Sequence, residues 1–276
     1  MEIPALIVDA IREDIGSGDI TTSAVIPSSL KAEGRLEAKT DGVICGLEVA
    51  HQVFAAIDPA LVWEARADDG DAVETGAVVA TVSGNARAVL QAERIALNIV
   101  GRLSGIATLT RRFVDRIRGT RAAILDTRKT TPGWRALEKY AVTKGGGQNH
   151  RHGLYDRYLV KSNHIDLCES LAEALPRVAA NRREDCLLEV EARDLEEASQ
   201  AASFGVAIIM LDNFPLADVR QAVAAVAGRA KIEVSGGITL ENVRGYAEAG
   251  VEGISIGALT HSAPALDIRL GIYPAE

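Results

Sequence analysis

The chain of 276 residues has few cysteines and few aromatic side chains. Its cysteines, Cys45, Cys168 and Cys186, are odd in number and lie far apart in the sequence. Such scattered thiols argue against a disulfide framework and against a zinc site with closely spaced ligands. They are typical of a reducing compartment, so we expect a cytoplasmic protein.

Long apolar runs are also absent. No stretch of about 18 apolar residues occurs, which argues against a membrane-spanning helix. The segment 1–14 has neither a basic start nor a small-residue cleavage site, so it is not expected to be a signal peptide. The formal net charge of −8 argues against general binding of nucleic acids.

The first hundred or so residues predict a mixed α and β region. Residues 3–15 have the spacing of an amphipathic helix, with Ile3, Leu6, Ile7, Ala10 and Ile11 on one face. The acidic turn 68–71 is interpreted as a surface hairpin, with a metal site as the alternative. Further expected elements are strands at 35–38, 42–46, 61–65 and 78–82, and helices at 47–57 and 86–118.

The long helix at 86–118 contains a polar stripe. Gln91, Arg94, Asn98 and Arg102 recur at helical spacing, and periodicity alone favours a solvent-facing stripe. The alternative is a helix that lends Arg94 to a binding site. Gly101 and Gly105 are expected to be kinks or points of close packing.

From residue 122 onward, short β-rich runs alternate with helical patterns. This alternation predicts βαβ units and a parallel sheet, and the number of units favours a closed or nearly closed β/α barrel. No GxGxxG follows the first strand, which disfavours a dinucleotide-binding fold. The expected strands lie near 122–126, 157–161, 186–191, 206–211, 231–234 and 253–257, and the expected helices near 134–144, 166–180, 194–204, 216–227 and 239–249.

The predicted strands end in charged residues or glycine turns. In β/α barrels the carboxyl ends of the strands converge on the active site, so we expect these residues to form one. Two glycine-containing ends, 235–237 and 256–258, suit a phosphate held by backbone N–H groups. The ends are 126–129, Lys161, Glu189 with Glu191, Asp212 with Asn213, Ser235-Gly236-Gly237 and Gly257-Ala258.

The segment 126–164 is basic in an acidic chain. It holds eight Lys or Arg residues, only three acidic residues, and three of the five histidines, His150, His152 and His164. Several of its cations adjoin turns instead of lying on helix faces. Cations placed on turns between apolar runs predict a pocket for a small, strongly anionic molecule.

Short motifs in this segment and beyond it occur in a fixed order along the chain. They are DTRKTTPG (126–133), GGGQNHRHGLYD (145–156), KSNHI (161–165), AERIALN (92–98), RLSGIAT (102–108), EVE (189–191), MLDNF (210–214), EVSGGIT (233–239) and IGALTHS (256–262). The ordered set is far more specific than any one motif and covers nearly the whole chain. It resembles the motifs of the quinolinate phosphoribosyltransferase family.

The resemblance implies a fold, a reaction and an assembly. It implies an N-terminal α+β sandwich domain at 1–104, against which the tail 264–276 packs, and a nearly closed β/α-barrel domain at 105–263. The implied enzyme is a pentosyltransferase of de novo NAD biosynthesis. It joins quinolinate to 5-phosphoribosyl 1-pyrophosphate and gives nicotinate mononucleotide, pyrophosphate and carbon dioxide. The implied assembly is a head-to-tail homodimer, or a hexamer built from dimers.

The resemblance also assigns roles to residues. Glu191 and Asp212 are implied to face the ribose and Mg²⁺, and the glycine loops are implied to hold the 5-phosphate. Lys129 and Lys161 are candidates for assisting decarboxylation. The implied catalytic residues are Lys129, Lys161, Glu191 and Asp212, and the implied substrate-binding residues are Arg94, Thr127, Arg128, Lys129, His150, Arg151, Lys161, Glu191, Asp212, Ser235, Gly236, Gly237, Ile256, Gly257 and Ala258.

Two positions depart from the family pattern, and one residue is expected to act across subunits. Trp134 stands where Leu is expected, and Ser162 stands where Asp is common. Neither replaces a charged ligand. Arg94 lies roughly 40 Å from the end of its predicted helix at about 1.5 Å per residue, so we expect it to serve the site of a partner subunit.

Two other functions stay open at this point. Lys161 at a barrel strand end would also suit a Schiff-base aldolase, which needs a lysine with a lowered pKa in a fairly apolar pocket. A sensor that binds phosphorylated metabolites without turnover is the second alternative.

Overall fold

The computed structural model describes residues 3–275, which form two compact units. The first unit runs to Arg111 and also takes in Thr131–Gly146 and the chain from Ser262 onward. The second unit comprises Arg112–Thr130 and Gly147–His261. This grouping differs from the predicted division at residue 104, because the 131–146 segment joins the first unit.

The first unit is built on an antiparallel four-stranded sheet with the order β12-β1-β5-β3. Strand β1 alternates buried and less buried side chains, as expected of a sheet with one face on a core. The late strand β12 pairs along the whole of β1, from Ala32 opposite Pro274 to Ala38 opposite Ile268. The elements of this unit are α1 (Ile3–Ile15), α2 (Ile20–Val25), β1 (Lys31–Ala38), β2 (Gly42–Val43), α3 (Leu47–Ile57), β3 (Val62–Ala65), β4 (Ala72–Val73), β5 (Val78–Asn85), α4 (Ala86–Arg116, first unit to Arg111), α5 (Arg135–Lys144) and β12 (Ile268–Pro274).

Glycines in α4 serve close packing. A Cβ on Gly105 would lie 2.0 Å from the carbonyl oxygen of Pro264, so a larger residue there would displace the backbone. The N–H of Leu266 donates to the Gly101 carbonyl at 2.9 Å. The helix continues through both glycines to Arg116. Of the two roles predicted for them, close packing is the one that these contacts support.

Two charged groups of the first unit have internal roles. Asp69 Oδ1 accepts the N–H groups of Gly46 and Leu47 at 2.9 and 3.0 Å, which caps the start of α3. Its Oδ2 accepts the Tyr140 hydroxyl at 3.0 Å. Arg102, on the polar stripe, contacts the fully buried Glu138 at 2.8 Å. The acidic turn therefore supplies a helix cap, and at Arg102 the expectation of a solvent-facing stripe is wrong.

The second unit is a nearly closed β/α barrel around a parallel six-stranded sheet with the order β6-β11-β10-β9-β8-β7. Beside β6, Gln148 forms a further parallel bridge to Leu125. All five residues of β8 are buried, as expected of a strand covered on both faces. The elements are β6 (Ala123–Leu125), β7 (Tyr158–Val160), α6 (Ser162–Leu167), α7 (Leu171–Asn181), β8 (Leu188–Ala192), α8 (Leu195–Phe204), β9 (Ile208–Asp212), α9 (Leu216–Val226), β10 (Lys231–Ser235), α10 (Val243–Glu248), β11 (Gly253–Ser255) and α11 (Ala258–His261).

The structure corrects some boundaries. The helix predicted at 166–180 is two helices, α6 and α7. Glu169 adopts a positive φ of 70° between them, and the Ser170 hydroxyl caps α7 by accepting the N–H of Glu173. Helices α2 and α11 and strand β12 were not predicted. The side chains of Ile3 and Pro4 and residues 1, 2 and 276 lie outside the described part. Among residues 3–275, no helix combines the length and apolarity needed to cross a membrane.

Candidate active site

A cavity of about 740 Å³ opens at the carboxyl ends of the barrel strands. All of its lining residues belong to the second unit, and they include most of the predicted site residues. The volume is within the range of small-molecule sites. The lining comprises Thr127, Arg128, Lys129, His150, Arg151, Leu154, Leu159, Lys161, Asn163, His164, Glu191, Met210, Asp212, Asn213, Ser235, Gly236, Gly237 and Ser255.

Lys161 and Glu191 form an ion pair in the cavity wall. Lys161 follows β7, and its Nζ contacts Glu191 Oε2 on the neighbouring strand β8. Glu191 Oε1 accepts the backbone N–H and the hydroxyl of Ser162 at 3.3 and 3.2 Å. Ser162, which departs from the family pattern, therefore helps to hold this carboxylate. The contact with Glu191 suits a charged ammonium, which argues against Lys161 as a Schiff-base nucleophile.

The arginines of the cavity form a like-charge pair. Arg151 is only 8% exposed, and burial together with the nearby Arg128 guanidinium lowers its pKa below the ordinary value. A guanidinium stays charged even so. Two guanidinium groups that line the same cavity are stabilised when an anion lies against both. This pair is therefore suited to a carboxylate or phosphate.

The turn after β6 positions Arg128 and Lys129. The Lys129 N–H donates to the Thr127 hydroxyl at 3.0 Å, and the Lys129 carbonyl accepts the Thr260 hydroxyl at 2.7 Å. A Cβ on Gly257 would lie 2.8 Å from Lys129 Cδ, so glycine leaves room for the lysine stem. The second lysine of the cavity is thus placed by backbone and hydroxyl contacts.

Asp212 ends β9, opposite Ser235 at the end of β10. Its Oδ2 accepts the Asn213 side-chain amide at 2.8 Å. Asn213 has a positive φ of 58°, and a Cβ on Gly236 would lie 2.1 Å from Asn213 Oδ1. Since Gly236 itself has a φ of 91°, both space and backbone conformation require glycine.

Four predicted site residues are not part of this lining. Arg94 is exposed on α4, and Ile256, Gly257 and Ala258 lie beside the cavity's Ser255. The Ile256 N–H donates to the Leu125 carbonyl at 3.0 Å, so it is already used in the sheet and a phosphate would have to displace that bond. The roles assigned to these four residues stay predictions.

His150 lines the cavity but is only 6% exposed. The Arg151 N–H donates to His150 Nδ1 at 2.7 Å, and His150 Nε2 lies 3.2 Å from Glu189 Oε1. Both ring nitrogens thus contact protein groups. This geometry differs from the substrate-facing cation that the resemblance implied, so its role toward substrate stays a prediction.

Sequence reasoning assigned no substrate-binding or catalytic role to several residues of this region, although Glu189 was among the strand-end residues expected at the site. Asn163, His164 and Ser255 line the cavity, and Glu189, Glu233 and Arg157 lie next to His150. One signal was present, because residues two apart on a strand share a face. Glu189 precedes Glu191 by two residues, and Glu233 precedes Ser235 by two.

Known proteins share this sequence and architecture. The family models for the N-terminal and C-terminal domains of quinolinate phosphoribosyl transferase match residues 19–104 and 106–271. The chain is 39% identical to the probable nicotinate-nucleotide pyrophosphorylase [carboxylating] of Bacillus subtilis, over 99% of this chain and 94% of the relative. It is 41% identical to the chloroplastic enzyme of Arabidopsis thaliana, over 98% and 83%.

The structural comparison agrees. The crystal structure of NadC from Streptococcus pyogenes superposes with a TM-score of 0.96 at 38% identity, covering 100% of this chain and 98% of that one. Two adjoining family models, full-length relatives near 40% identity and the shared architecture lead to one conclusion. The chain belongs to the quinolinate phosphoribosyl transferase family.

Proposed function

We propose that this protein transfers the phosphoribosyl group of 5-phosphoribosyl 1-pyrophosphate to quinolinate, with loss of carbon dioxide, to give nicotinate mononucleotide. The observation that carries the proposal is the cavity at the barrel strand ends, which combines four cationic side chains with two carboxylates. The family membership supports the same reaction.

The cations suit the pyridine diacid. Quinolinate carries two adjacent carboxylates in one plane, and guanidinium groups bind such planar anions with paired hydrogen bonds. Arg128 and Arg151 are the neighbouring guanidiniums of the cavity. Lys129 and Lys161 add point charges, and either one suits the 2-carboxylate that is lost.

The carboxylates suit the ribose. Departure of pyrophosphate leaves positive charge at the anomeric carbon, and a nearby carboxylate stabilises that charge. Glu191 lies one residue before the end of β8 and Asp212 ends β9, and these are adjacent parallel strands, so both can face the sugar. The Ser235-Gly236-Gly237 turn beside Asp212 is proposed to hold the 5-phosphate through its backbone N–H groups.

The covalent steps need only the two substrates and one proton from water. The bond between the anomeric carbon and the pyrophosphate oxygen breaks, and the ring nitrogen supplies the electron pair of the new bond. The bond from the ring to its 2-carboxylate then breaks, and the electron pair stays on the ring carbon next to the positively charged nitrogen. A proton adds to that carbon as carbon dioxide leaves. The side chains act by orientation and charge.

Mg²⁺ fits this donor set and is part of the proposal. Magnesium prefers oxygen ligands and binds through one or two carboxylates together with substrate phosphates. Asp212 is the better candidate, because both oxygens of Glu191 already contact Lys161 and Ser162. When bound with pyrophosphate, the ion would supply charge neutralisation for the leaving group.

A direct assay tests the function. The protein is incubated with quinolinate, 5-phosphoribosyl 1-pyrophosphate and Mg²⁺, and nicotinate mononucleotide, pyrophosphate and carbon dioxide are measured. Equal amounts of all three support the proposal. Tight binding of the phosphoribosyl donor without turnover would instead favour the sensor, and borohydride trapping of a carbonyl substrate would favour the aldolase.

Assembly as a homodimer, with Arg94 serving the cavity of a partner subunit, is a further part of the proposal, as is a cytoplasmic location. The support is the family membership and the exposure of Arg94. The test mixes two inactive variants, Arg94→Ala and Lys161→Ala, under conditions that exchange subunits. Activity returns if Arg94 acts across subunits, because a mixed dimer then holds one undamaged site. No return of activity would show that it does not.

A further inference from the structure

A cluster of buried ionisable groups borders the candidate active site. It consists of Glu189 on β8, Glu233 on β10 and His150, which are 0%, 2% and 6% exposed. His150 also lines the cavity, as does Ser255, whose hydroxyl donates to Glu233. The buried cluster therefore contacts the wall of the cavity through two residues.

Contacts within the buried cluster converge on one ring nitrogen. His150 Nε2 lies 3.2 Å from Glu189 Oε1 and 3.4 Å from Glu233 Oε1. Arg157 Nη1 lies 3.0 Å from Glu189 Oε2 and 3.3 Å from the same His150 nitrogen. The segment before β7, strand β8 and strand β10 are thus joined at His150.

The backbone fixes the state of the histidine ring. The Arg151 N–H donates to His150 Nδ1 at 2.7 Å, and a backbone N–H can only donate. Nδ1 therefore carries the lone pair, and the proton of the neutral ring is on Nε2, where it points at the carboxylates. A protonated Nε2 cannot ligate a metal ion, so this trio of potential ligands is better suited to holding a proton.

Two buried carboxylates that lie this close repel each other when both are ionised. Protonation of one of them therefore stabilises the pair. Burial and the charge of Glu189 raise the pKa of Glu233 to about 7. Burial alone would also raise the pKa of Glu189, but its hydrogen bonds with His150 and Arg157 and the charge of Arg157 lower it. The proton therefore resides on Glu233 below neutral pH.

We infer that Glu189 and Glu233 are positioning residues, which hold His150 in its Nε2-protonated form and thereby fix the backbone of Arg151 in the cavity wall. Their action passes through the His150–Arg151 hydrogen bond, not through contact with substrate. The groups that face Glu233 are Glu189 from β8, His150 and Arg157 from the segment before β7, and Ser255 from β11. The Asp126 carboxylate also holds His150, because it accepts the backbone N–H of that residue at 2.9 Å.

The inference rests on the proposed function only for its kinetic consequence. When Glu233 ionises, a second anion appears beside Glu189 and below an anion-binding cavity. The two carboxylates then repel each other, and we expect the repulsion to displace them from their positions around the His150 N–H. The kcat/KM for quinolinate is therefore expected to fall as pH rises through about 7, because Glu233 ionises in this range.

Glutamine variants test this pH dependence. Glu233→Gln mimics the protonated acid, so activity near pH 6 should be kept and the fall around pH 7 should disappear. Glu189→Gln removes the charge opposite Arg157, and the KM for quinolinate should rise roughly tenfold or more with less change in kcat, as for a misplaced binding group. Glu197→Gln is the matched control, because Glu197 is a buried carboxylate paired with Arg193 outside the cavity. It should leave both the KM and the pH profile unchanged.

A measurement on the unaltered protein avoids any folding defect of the variants. Long-range ¹H–¹⁵N spectra of histidine-labelled protein should show His150 as the neutral ring with its proton on Nε2. An imidazolium signal from His150, or a Glu233→Gln enzyme with the original pH profile, would overturn the inference. A protein that shows the predicted ring signal but no phosphoribosyl transfer would overturn the proposed function alone.

Discussion

Two pairs of carboxylates in the same barrel have different surroundings. Glu191 and Asp212, at the strand ends, line the cavity and contact Lys161 and an amide. Glu189 and Glu233, three residues before the end of β8 and two before the end of β10, are closed off from solvent. We call Glu191 and Asp212 the outer pair, and Glu189 and Glu233 the inner pair. A shift of two residues along a strand keeps the face and changes the solvation.

Because their surroundings differ, the two pairs of carboxylates can take different chemical roles. A carboxylate that lines the cavity can stabilise positive charge on a substrate. Carboxylates buried together are stabilised by sharing a proton, and they orient a neighbouring ring. The chemistry is thus set by depth in the barrel and not by residue type.

The largest expected effect changes the substrate and leaves both pairs intact. Nicotinate has one carboxylate fewer than quinolinate, so the cavity would lose the interactions that its cations make with that carboxylate. A site built for a charged or polar group rejects an analogue that lacks it by as much as about 10⁴-fold. Measured kcat/KM values should therefore favour quinolinate by several orders of magnitude, and equal values would contradict a diacid site.

The next largest effect is expected when one carboxylate of the outer pair is removed. Changing Glu191 or Asp212 to Ala should lower kcat by about 10²-fold or more, because the lost group acts on charge that develops in the transition state. Quinolinate affinity, measured by titration without the donor, should change less. A collapse of quinolinate affinity with kcat preserved would instead place these acids at the diacid.

A smaller effect concerns the stability contributed by the inner pair. Burial and Glu189 raise the pKa of Glu233 from an ordinary 4.5 to about 7. The folded state therefore binds more protons than the unfolded state in this window. The stability that protonated Glu233 contributes is fully present below about pH 4.5 and is lost as pH rises through 7. Denaturant titrations should show a fall on the order of 2 kcal/mol between about pH 5 and 8, and Glu233→Gln should remove most of it.

The smallest effect is expected at a carboxylate outside the barrel interior. Glu248 pairs with Arg244 on the surface of α10, where both side chains are about half exposed. Such helix pairs contribute about 0.3–0.5 kcal/mol. Glu248→Gln should therefore change the free energy of unfolding by less than about 0.5 kcal/mol, with no change in the pH dependence assigned to Glu233. A larger change would show that exposure does not separate the two classes of acid.

The outer pair and Glu189 could be predicted from the sequence as strand-end residues, but the contacts of the inner pair could not. Glu191 and Asp212 each end an apolar run, so the local pattern alone places them at the strand ends. The partner of Glu189 is His150, which lies 39 residues away in the sequence, and Ser255 reaches Glu233 from another strand. Contacts across a barrel interior leave no periodic signal in either segment.

The same limit applies to the fold. The barrel strands were predicted because each is an apolar run between turn signals. Helix α5 was placed with the barrel because it follows β6 in sequence, but Glu138 pairs with Arg102 and Tyr140 binds Asp69. Those long-range polar contacts place α5 in the first unit. They cannot be predicted from the local propensity of the sequence.

The pairing of β12 with β1 has a consequence for synthesis of the chain on the ribosome. Strand β1 pairs with β5 on one side and with β12 on the other, so one edge of β1 stays open until residues 268–274 emerge. The barrel is translated in the interval. A nascent chain therefore carries an unpaired edge strand for most of its synthesis, and such an edge invites pairing with other chains. Premature release just after His261 should thus produce an aggregating fragment even though every barrel strand is present.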